Sequence, residues 1–339
     1  MNVLRTVVLV CAVSLNAFAQ QQQFASLGDF KLSSGEVLRD CRIGYRTYGS
    51  LNADKSNVIL FPTWAGGTSE QLAGTVGPGA SLNLPNYYVI TVDALANGVS
   101  SSPSNSALQP HMQFPKVTIR DFVDTQHQML TGVLGISHVK AVMGISMGGM
   151  QTFQWMVSYP GFMDKAIPMV GSPQLAPYDL FHWQAQLDAI ENDPAWQHGD
   201  YTRNPARVAE AEFGAILLHT PEYINSHTTR KQVLETLEEA RTNGGGSDAN
   251  DKIRQTEAMM ALDVAQPFGG SLEKAAASVK AKVLVIVARQ DHTVTPQPAL
   301  KFARYLQAPV VILEGDCGHV ATGCESGKVA QAVKAFLVK

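Results

Sequence analysis

The clearest candidate for chemistry is a run of five residues, Gly144-Ile145-Ser146-Met147-Gly148. It follows a strand-like apolar run and precedes a helical pattern, which is the context that a Gly-x-Ser-x-Gly nucleophile turn requires. The glycines matter because a Cβ at either position would collide with the neighbouring strand or helix. The serine hydroxyl would project at a helix N-terminus, where free N–H groups favour developing negative charge. We therefore predict that Ser146 is a nucleophile rather than an incidental serine in a glycine-rich turn.

A base and an acid for this serine are predicted further along the chain. A serine hydroxyl needs a general base, and a neutral imidazole needs a carboxylate that holds its tautomer and stabilises the imidazolium. Asp291 and His319 each follow a strand-like run, and the order serine, aspartate, histidine accompanies this type of serine turn. His292 is the nearest alternative base, but it precedes the last strand. Asp316 is the alternative acid, although its closeness to the histidine suits a turn-capping role better.

Two backbone N–H donors are needed to stabilise the oxyanion of a tetrahedral intermediate. Met147, directly after the serine, supplies the first. The second is expected from the loop after an earlier strand, where the chain reads Pro62-Thr63-Trp64-Ala65-Gly66-Gly67. We choose Ala65 as this donor, with Trp64 as the alternative. An ordinary glycine-rich turn between a strand and a helix would have the same composition.

The elements that must position these residues form an alternating pattern. Strand-like runs are apolar nearly throughout, which is typical of a parallel sheet covered by helices on both faces. Helical periodicity lies next to these runs, so we predict an α/β fold with a mostly parallel, doubly wound sheet. The predicted strands are residues 57–62, 87–93, 139–144, 165–170, 283–288 and 310–314, and the predicted helices are residues 119–134, 149–158 and 326–338.

A long segment without strand patterns separates the two halves of this sheet. Residues 173–270 read as amphipathic helices, so we predict a helical lid inserted between core segments 20–172 and 271–339. Residues 24–52 alternate between polar and apolar over short stretches and contain turn residues, which predicts an antiparallel hairpin at the sheet edge. The predicted lid helices are residues 178–191, 205–219, 229–242 and 251–264.

The first 19 residues have the pattern of a cleaved secretory signal peptide. Arg5 supplies a positive charge, residues 7–15 are apolar, and Ala17-Phe18-Ala19 has the small-x-small form that precedes cleavage. A buried N-terminal helix is the alternative, but a run of glutamines follows directly. We therefore predict a periplasmic or secreted protein without a membrane span after cleavage, because no later stretch approaches about 20 uninterrupted apolar residues.

The composition and charge of the chain exclude several classes of function. The chain has 339 residues, of which 45% are hydrophobic and 16% are charged, which is typical of a globular protein with a sizeable core. The formal net charge of −3 provides no basic field for nucleic acid or an acidic membrane. No Cys-x-x-Cys pair occurs, so we expect no structural metal. In an oxidising compartment Cys317 and Cys324 could form a disulfide around His319, and two reduced thiols are the alternative.

Several stretches resemble the homoserine O-acetyltransferases, a branch of the α/β-hydrolase superfamily. The resemblance extends over most of the chain after the signal peptide. It implies the α/β-hydrolase fold with Ser146 as nucleophile, Asp291 as acid and His319 as base, in agreement with the assignments made from the residues themselves. The resembling stretches are Phe114-Pro115-Lys116-Val117-Thr118-Ile119-Arg120-Asp121, Leu134-Gly135-Ile136, Gly144-Ile145-Ser146-Met147-Gly148-Gly149-Met150-Gln151, Asn192-Asp193-Pro194-Ala195-Trp196 and Gly199-Asp200-Tyr201.

Two positions depart from the family pattern and bear on the acceptor of the acyl group. Members that acylate homoserine generally carry an acidic residue directly after the catalytic histidine and an arginine shortly before the Asn-Asp-Pro stretch. Here these positions hold Val320 and Leu187, which cannot pair with the charges of an amino acid. An exported enzyme would also lack acetyl-CoA, a cytoplasmic metabolite. Free homoserine is therefore disfavoured as the acceptor.

We predict a serine ester hydrolase that acts on small or short-chain carboxylic esters through an acyl-enzyme on Ser146, without a cofactor. Acyl transfer to an alcohol is the alternative within the same chemistry. A degenerate hydrolase that only binds a ligand is the third reading, and the presence of Ser146, Asp291 and His319 disfavours it. The predicted partner is a small-molecule ester. Family members often form dimers through the lid, so the sequence leaves open whether the protein is a monomer or a homodimer.

Overall fold

The computed structural model describes residues 21–77, 79–202, 204–205, 208–242 and 248–338, so the predicted signal peptide lies outside the described residues. Within them, a nine-stranded sheet has the order β1-β2-β4-β3-β5-β6-β8-β9, with β7 paired to β6. The first two pairings are antiparallel and the others are parallel. The strands are β1 (Gln23–Lys31), β2 (Val37–Tyr48), β3 (Val58–Pro62), β4 (Tyr88–Val92), β5 (Val139–Ile145), β6 (Met163–Met169), β7 (Lys282–Val283), β8 (Val285–Ala288) and β9 (Val310–Leu313).

Helices cover both faces of this sheet, which confirms the doubly wound α/β fold predicted from the continuous apolar runs. The edge hairpin, β1 with β2, lies where the short alternations predicted it. The helices are α1 (Ala73–Val76), α2 (Ile119–Gln128), α3 (Met147–Ser158), α4 (Pro177–Glu191), α5 (Val208–Leu218), α6 (Pro221–His227), α7 (Arg230–Thr242), α8 (Ala249–Met260), α9 (Leu272–Ser278), α10 (Gln297–Leu306), α11 (Ala321–Cys324) and α12 (Ser326–Val338).

The core consists of two apolar layers, one on each face of the sheet. One layer contains large side chains of α2, α3 and α10, including Phe122, Trp155 and Phe302, all fully buried. The other layer packs α12 against the sheet through side chains such as Val333 and Leu337. Burial of each large apolar side chain contributes about 1.5–3 kcal/mol. The layers therefore hold the strand ends that carry the candidate site residues.

The structure differs from the predicted elements in a few places. The predicted strand 283–288 is split at Leu284 into β7 and β8, and α2 ends at Gln128 in a wide turn, Met129–Val133. Helices α1, α9, α10 and α11 of the core were not predicted. Pro296, directly before α10, and Pro298, its second residue, resemble helix breakers. Proline is nevertheless tolerated at the start of a helix because the N–H it lacks has no intrahelical partner there.

The predicted lid, residues 173–270, contains five α-helices among its described residues, α4 to α8. Four correspond to the predicted lid helices, and α6 was not predicted. The segment has its own small apolar cluster, formed by Leu187, Ile190, Trp196, Ala249 and Ile253. Among the described residues, no helix has both the length and the apolar character needed to cross a membrane.

Candidate active site

The serine turn joins β5 to α3, and its backbone is strained. Ser146 has φ 57° and ψ −121°, a conformation that costs a non-glycine residue about 1–3 kcal/mol. The glycines on either side allow the close approach: a Cβ at Gly144 would lie 2.4 Å from the backbone of Gly148, and one at Gly148 would lie 2.5 Å from the Pro62 carbonyl oxygen. The turn thus places the serine side chain directly before the first turn of α3, as its sequence predicts.

Ser146, His319 and Asp291 form one hydrogen-bonded array. The serine hydroxyl donates to Nε2 of His319 at 2.7 Å, and Nδ1 of the same ring donates to Oδ2 of Asp291 at 2.7 Å. The histidine is 6% exposed and the aspartate 4% exposed, so water competes little for these bonds. The imidazole is therefore oriented by the carboxylate with Nε2 free to accept the serine proton.

The second oxygen of the Asp291 carboxylate is fixed by its own loop. Oδ1 accepts hydrogen bonds from the backbone N–H groups of Thr293 at 2.8 Å and Val294 at 2.9 Å. The two alternatives weighed from the sequence lie outside this array. His292 directly follows Asp291 along the loop, and the Asp316 carbonyl oxygen accepts from the Thr220 hydroxyl at 2.6 Å.

Helix α4 braces the loop that carries Asp291. His182 is buried, and this burial lowers its pKa, which favours the neutral ring. Its Nε2 donates to the Thr293 carbonyl oxygen at 2.9 Å. One turn earlier, Asp179 accepts a hydrogen bond from the Thr295 N–H at 3.1 Å, and burial raises the pKa of this carboxyl. The acid loop is therefore held by side chains of the lid segment as well as by the sheet.

The loop after β3, predicted to supply an oxyanion donor, is held by helix α8. The N–H of Gly66 donates to Oε1 of Gln255 at 2.7 Å, and Nε2 of this side chain donates to the Leu95 carbonyl oxygen at 2.9 Å. Ala65 lines the same cavity as Ser146. Met147 is the first residue of α3, so its N–H has no intrahelical acceptor. The roles of Ala65 and Met147 in binding an oxyanion stay predictions.

A buried amide connects helix α3 to this loop. Nε2 of Gln151 donates to the carbonyl oxygens of Thr63 at 3.1 Å and Met147 at 3.2 Å. Its Oε1 accepts from Nε2 of Gln126 at 2.6 Å. Because all these groups are buried, removing one would leave an unpaired polar atom in the interior, at a cost of about 1–3 kcal/mol.

Ser146 and His319 line a cavity of about 610 Å³. Val320 lines this cavity, as expected for a residue at the acceptor position. Leu187 instead packs into the apolar cluster of the lid, and the preceding residue, Gln186, lines the cavity. The expectation that Leu187 belongs to the acceptor site is therefore wrong, because this side chain is buried in the lid cluster. The walls include apolar side chains of Trp64, Trp183, Phe213, Leu217 and Leu218 and polar side chains of Thr75, Ser81, Lys252, Thr293 and Thr322.

The cysteines whose state the sequence left open are bonded. Cys317 and Cys324 form a disulfide, and His319 lies within the loop that it closes. The free Cys41 is buried, and burial raises the pKa of its thiol to about 12, which disfavours the reactive thiolate. Among the described residues, no group of three His, Cys, Asp or Glu side chains could hold a metal ion.

Sequence reasoning missed the residues that support this site from the lid. His182 carries no local motif, and a lone histidine in a helical segment usually packs or faces solvent. Gln255 lies 189 positions from the glycine whose N–H it binds. No local signal marks either contact.

Comparison with known proteins matches residues 57–322 to the family described as alpha/beta hydrolase fold. The ethyl acetate hydrolase of Pseudomonas veronii is 30% identical over 320 residues, which are 89% of this chain and 91% of that protein. The structure of an acetylester hydrolase from Corynebacterium glutamicum superposes with a TM-score of 0.87 and 27% identity, covering 94% of this chain and 96% of the other. Homoserine O-acetyltransferase from Bacillus anthracis gives a TM-score of 0.86 and 25% identity, covering 94% and 98%.

Proposed function

The chain belongs to the α/β-hydrolase family, in its homoserine O-acetyltransferase-like branch, and we propose that it hydrolyses small carboxylic esters through an acyl-enzyme on Ser146. The observation that carries this proposal is the array from Ser146 through His319 to Asp291, with both hydrogen bonds at 2.7 Å. This arrangement activates a serine for attack on a carbonyl carbon.

Acylation follows from the geometry. As the Ser146 oxygen attacks the ester carbonyl carbon, Nε2 of His319 takes the hydroxyl proton and Asp291 stabilises the resulting imidazolium. The carbonyl oxygen becomes an oxyanion that the N–H groups of Met147 and Ala65 stabilise. The tetrahedral intermediate collapses with cleavage of the bond to the alcohol oxygen. His319 returns the proton to that oxygen, and the alcohol leaves.

Deacylation repeats these steps with water in place of serine. Nε2 of His319 takes a proton from the water as its oxygen attacks the acyl carbonyl, and a second tetrahedral intermediate forms. Its collapse breaks the bond to Ser146, and His319 returns the proton to the serine oxygen. The carboxylic acid is released, and the free enzyme is restored. No step requires a group beyond the described side chains, two backbone donors and water.

The cavity supports a neutral ester as substrate. Its walls around Ser146 are largely apolar, and Val320 occupies the position directly after the base. Relatives named as an ethyl acetate hydrolase and an acetylester hydrolase align over most of the chain. A short acyl group on a small or medium-sized alcohol satisfies these features.

Acyl transfer to an alcohol is the second candidate, because the same acyl-enzyme precedes both reactions. The similarity to a homoserine O-acetyltransferase at 25% identity supports it. Val320 opposes homoserine itself, since an apolar side chain cannot compensate a buried charge. The two candidates differ only in whether water or an alcohol reaches the acyl carbonyl.

The proposal extends to where the protein works. The N-terminal pattern of residues 1–19 supports export to the periplasm or secretion, and the disulfide between Cys317 and Cys324 supports an oxidising compartment. Cell fractionation with titration of free thiols tests this. Recovery of the protein from the cytosol with both cysteines reduced would contradict it.

Exposed apolar side chains support a homodimer formed through the lid. Phe181 is 80% exposed, and other large apolar groups of α4, α5 and α7 are also solvent-accessible. Light scattering coupled to size-exclusion chromatography tests this part of the proposal. A monomer at micromolar concentration, unchanged in mass by Phe181→Ser, would contradict it.

The test of the function compares the wild-type protein with Ser146→Ala on 4-nitrophenyl acetate and on ethyl acetate. Parallel reactions with acetyl-CoA and homoserine, and with ethyl acetate plus an added alcohol, measure acyl transfer. We expect ester hydrolysis that disappears in Ser146→Ala and no acylation of homoserine. Efficient acylation of homoserine would instead favour the transferase.

A further inference from the structure

The end of helix α5 contacts both loops that carry the histidine and the aspartate of the array. We call residues 217–220 the α5 end. Asp291 follows β8 and His319 follows β9, so the two side chains lie on separate loops. A hydrogen bond of 2.7 Å between them requires that the loops keep their relative position within a fraction of an ångström.

On the acid side, the contact is made by Thr293, which is 4% exposed. Its backbone N–H donates to Oδ1 of Asp291 at 2.8 Å, and its hydroxyl donates to the Leu217 carbonyl oxygen at 2.8 Å. One residue thus orients the carboxylate through its backbone and fastens the loop to the α5 end through its side chain. The hydroxyl contact is buried, so water does not readily replace it.

On the base side, Thr220 is fully buried and donates its hydroxyl to the Asp316 carbonyl oxygen at 2.6 Å. Gly318, directly before His319, has φ +65° and lies against the same segment. A Cβ on this glycine would lie 2.9 Å from the Leu218 carbonyl oxygen and 3.2 Å from the Cα of His219. The base loop is therefore in direct contact with the α5 end.

We propose that the α5 end sets the spacing between Asp291 and His319, with Thr293 and Thr220 as positioning residues. Leu217 and Leu218 also line the cavity, so an ester bound there touches the segment that holds both loops. The lid then helps to activate Ser146, by aligning His319 with Asp291, and also forms part of the cavity wall. This inference rests on the proposed serine-hydrolase function.

The test removes each hydroxyl with little change in side-chain volume. We expect Thr293→Val and Thr220→Val each to lower kcat for 4-nitrophenyl acetate about tenfold with KM nearly unchanged, because ester binding is retained while the array is misaligned. Thr293→Ser and Thr220→Ser keep the hydroxyls and should restore most of the rate. Thr125→Val is the matched control, since the Thr125 hydroxyl makes a buried bond of 2.8 Å to the Phe122 carbonyl oxygen in α2.

A second readout separates this inference from the proposed function. A small fluorophosphonate reacts with an activated serine without ester turnover, and mass spectrometry identifies the modified residue. If the wild-type protein is not modified at Ser146, the proposed function itself fails. If it is modified, we expect the two valine variants to react about tenfold more slowly and Thr125→Val to react at the wild-type rate.

Three results would overturn the inference while leaving the function intact. In the first, both valine variants are modified and turn over ester at the wild-type rates. In the second, the serine variants lose as much activity as the valine variants. In the third, the valine variants raise KM and leave kcat unchanged. If Thr293→Val does not fold, as judged by its melting curve, Thr220→Val decides alone.

Discussion

Oε1 of Gln255, on helix α8 of the lid segment, accepts a hydrogen bond of 2.7 Å from the N–H of Gly66, in the loop that follows β3. The same amide donates to the Leu95 carbonyl oxygen. It therefore connects the lid to the loop that includes Ala65. The conformation of a predicted oxyanion loop thus depends on a residue far away in the sequence.

Gln255→Leu should lower kcat for 4-nitrophenyl acetate about 10–100-fold with a small change in KM. The substitution leaves the Gly66 N–H without its acceptor, which costs about 1–3 kcal/mol and frees the loop to move. Steady-state kinetics and a melting curve measure both effects. Gln109→Leu is the matched control, because Gln109 also bridges two backbone groups, the N–H of Arg39 and the carbonyl oxygen of Val37. Equal kcat values for Gln255→Leu and the wild-type protein would contradict the positioning of this loop.

Asp291→Asn should lower kcat by about 10³–10⁴-fold while the protein stays folded. Two backbone N–H groups donate to Oδ1, so they hold the carbonyl oxygen of the asparagine at that position. The amide NH₂ then faces Nδ1 of His319 and favours the tautomer whose Nε2 carries a proton and cannot accept one. The measurement is kcat together with a circular dichroism spectrum. An asparagine variant that retains a tenth of the wild-type rate would show that the aspartate does not orient the base.

The melting temperature should fall as the pH is lowered from 7 to 5, in part through His182. Burial lowers its pKa in the folded state, whereas the unfolded chain binds a proton near the ordinary histidine value of about 6.5. Below this pH the unfolded state binds more protons, so stability decreases until the folded state is also protonated. His127 and His219 also have pKa values lowered mainly by burial, so they act in the same direction.

Replacement of His182 by glutamine removes its share of this dependence and leaves that of the other two histidines. We therefore expect a shallower decrease of melting temperature with falling pH in His182→Gln than in the wild-type protein. Scanning calorimetry at constant ionic strength measures both slopes. Identical slopes would mean that this histidine binds its proton equally well in the folded and unfolded states.

Val320→Asp should lower kcat/KM for ethyl acetate at least tenfold. The substitution places a carboxylate in a largely apolar cavity beside His319, where a neutral ester cannot compensate the charge. Val320→Thr has a similar volume without the charge and serves as the control, with an expected loss below threefold. The measurement is the initial rate over a range of ester concentrations. A Val320→Asp variant as active as Val320→Thr would mean that position 320 does not contact the ester.

The sequence predicts the central sheet and the three residues of the hydrogen-bonded array because each carries a local signal. Buried parallel strands are apolar throughout, and the glycines around Ser146 are required by the turn itself. Asp291 and His319 were assigned by their place directly after strands. By contrast, the residues that hold the site together make contacts across long stretches of chain. His182 lies 111 positions from its partner Thr293, and this pairing depends on how the helices pack.

The incorrect expectation for Leu187 has a similar cause. The helical pattern of residues 178–191 indicates an amphipathic helix, but it does not fix which side chains face the cavity and which face the rest of the lid. Leu187 faces the small cluster around Trp196 and Ile253, and Gln186 lines the cavity instead. A helix rotates by about 100° per residue, so neighbouring positions on α4 face different surroundings.

The central claim is that an ester transfers its acyl group to Ser146 and that water then removes it. The most direct measurement mixes the protein with 4-nitrophenyl acetate, quenches with acid within milliseconds and maps the acetylated peptide by mass spectrometry. We predict one acetyl group on the peptide that contains Ser146, disappearing in water at a rate consistent with kcat, and no acetylated peptide from Ser146→Ala. Full turnover by Ser146→Ala, or acetylation confined to another residue, would contradict the claim.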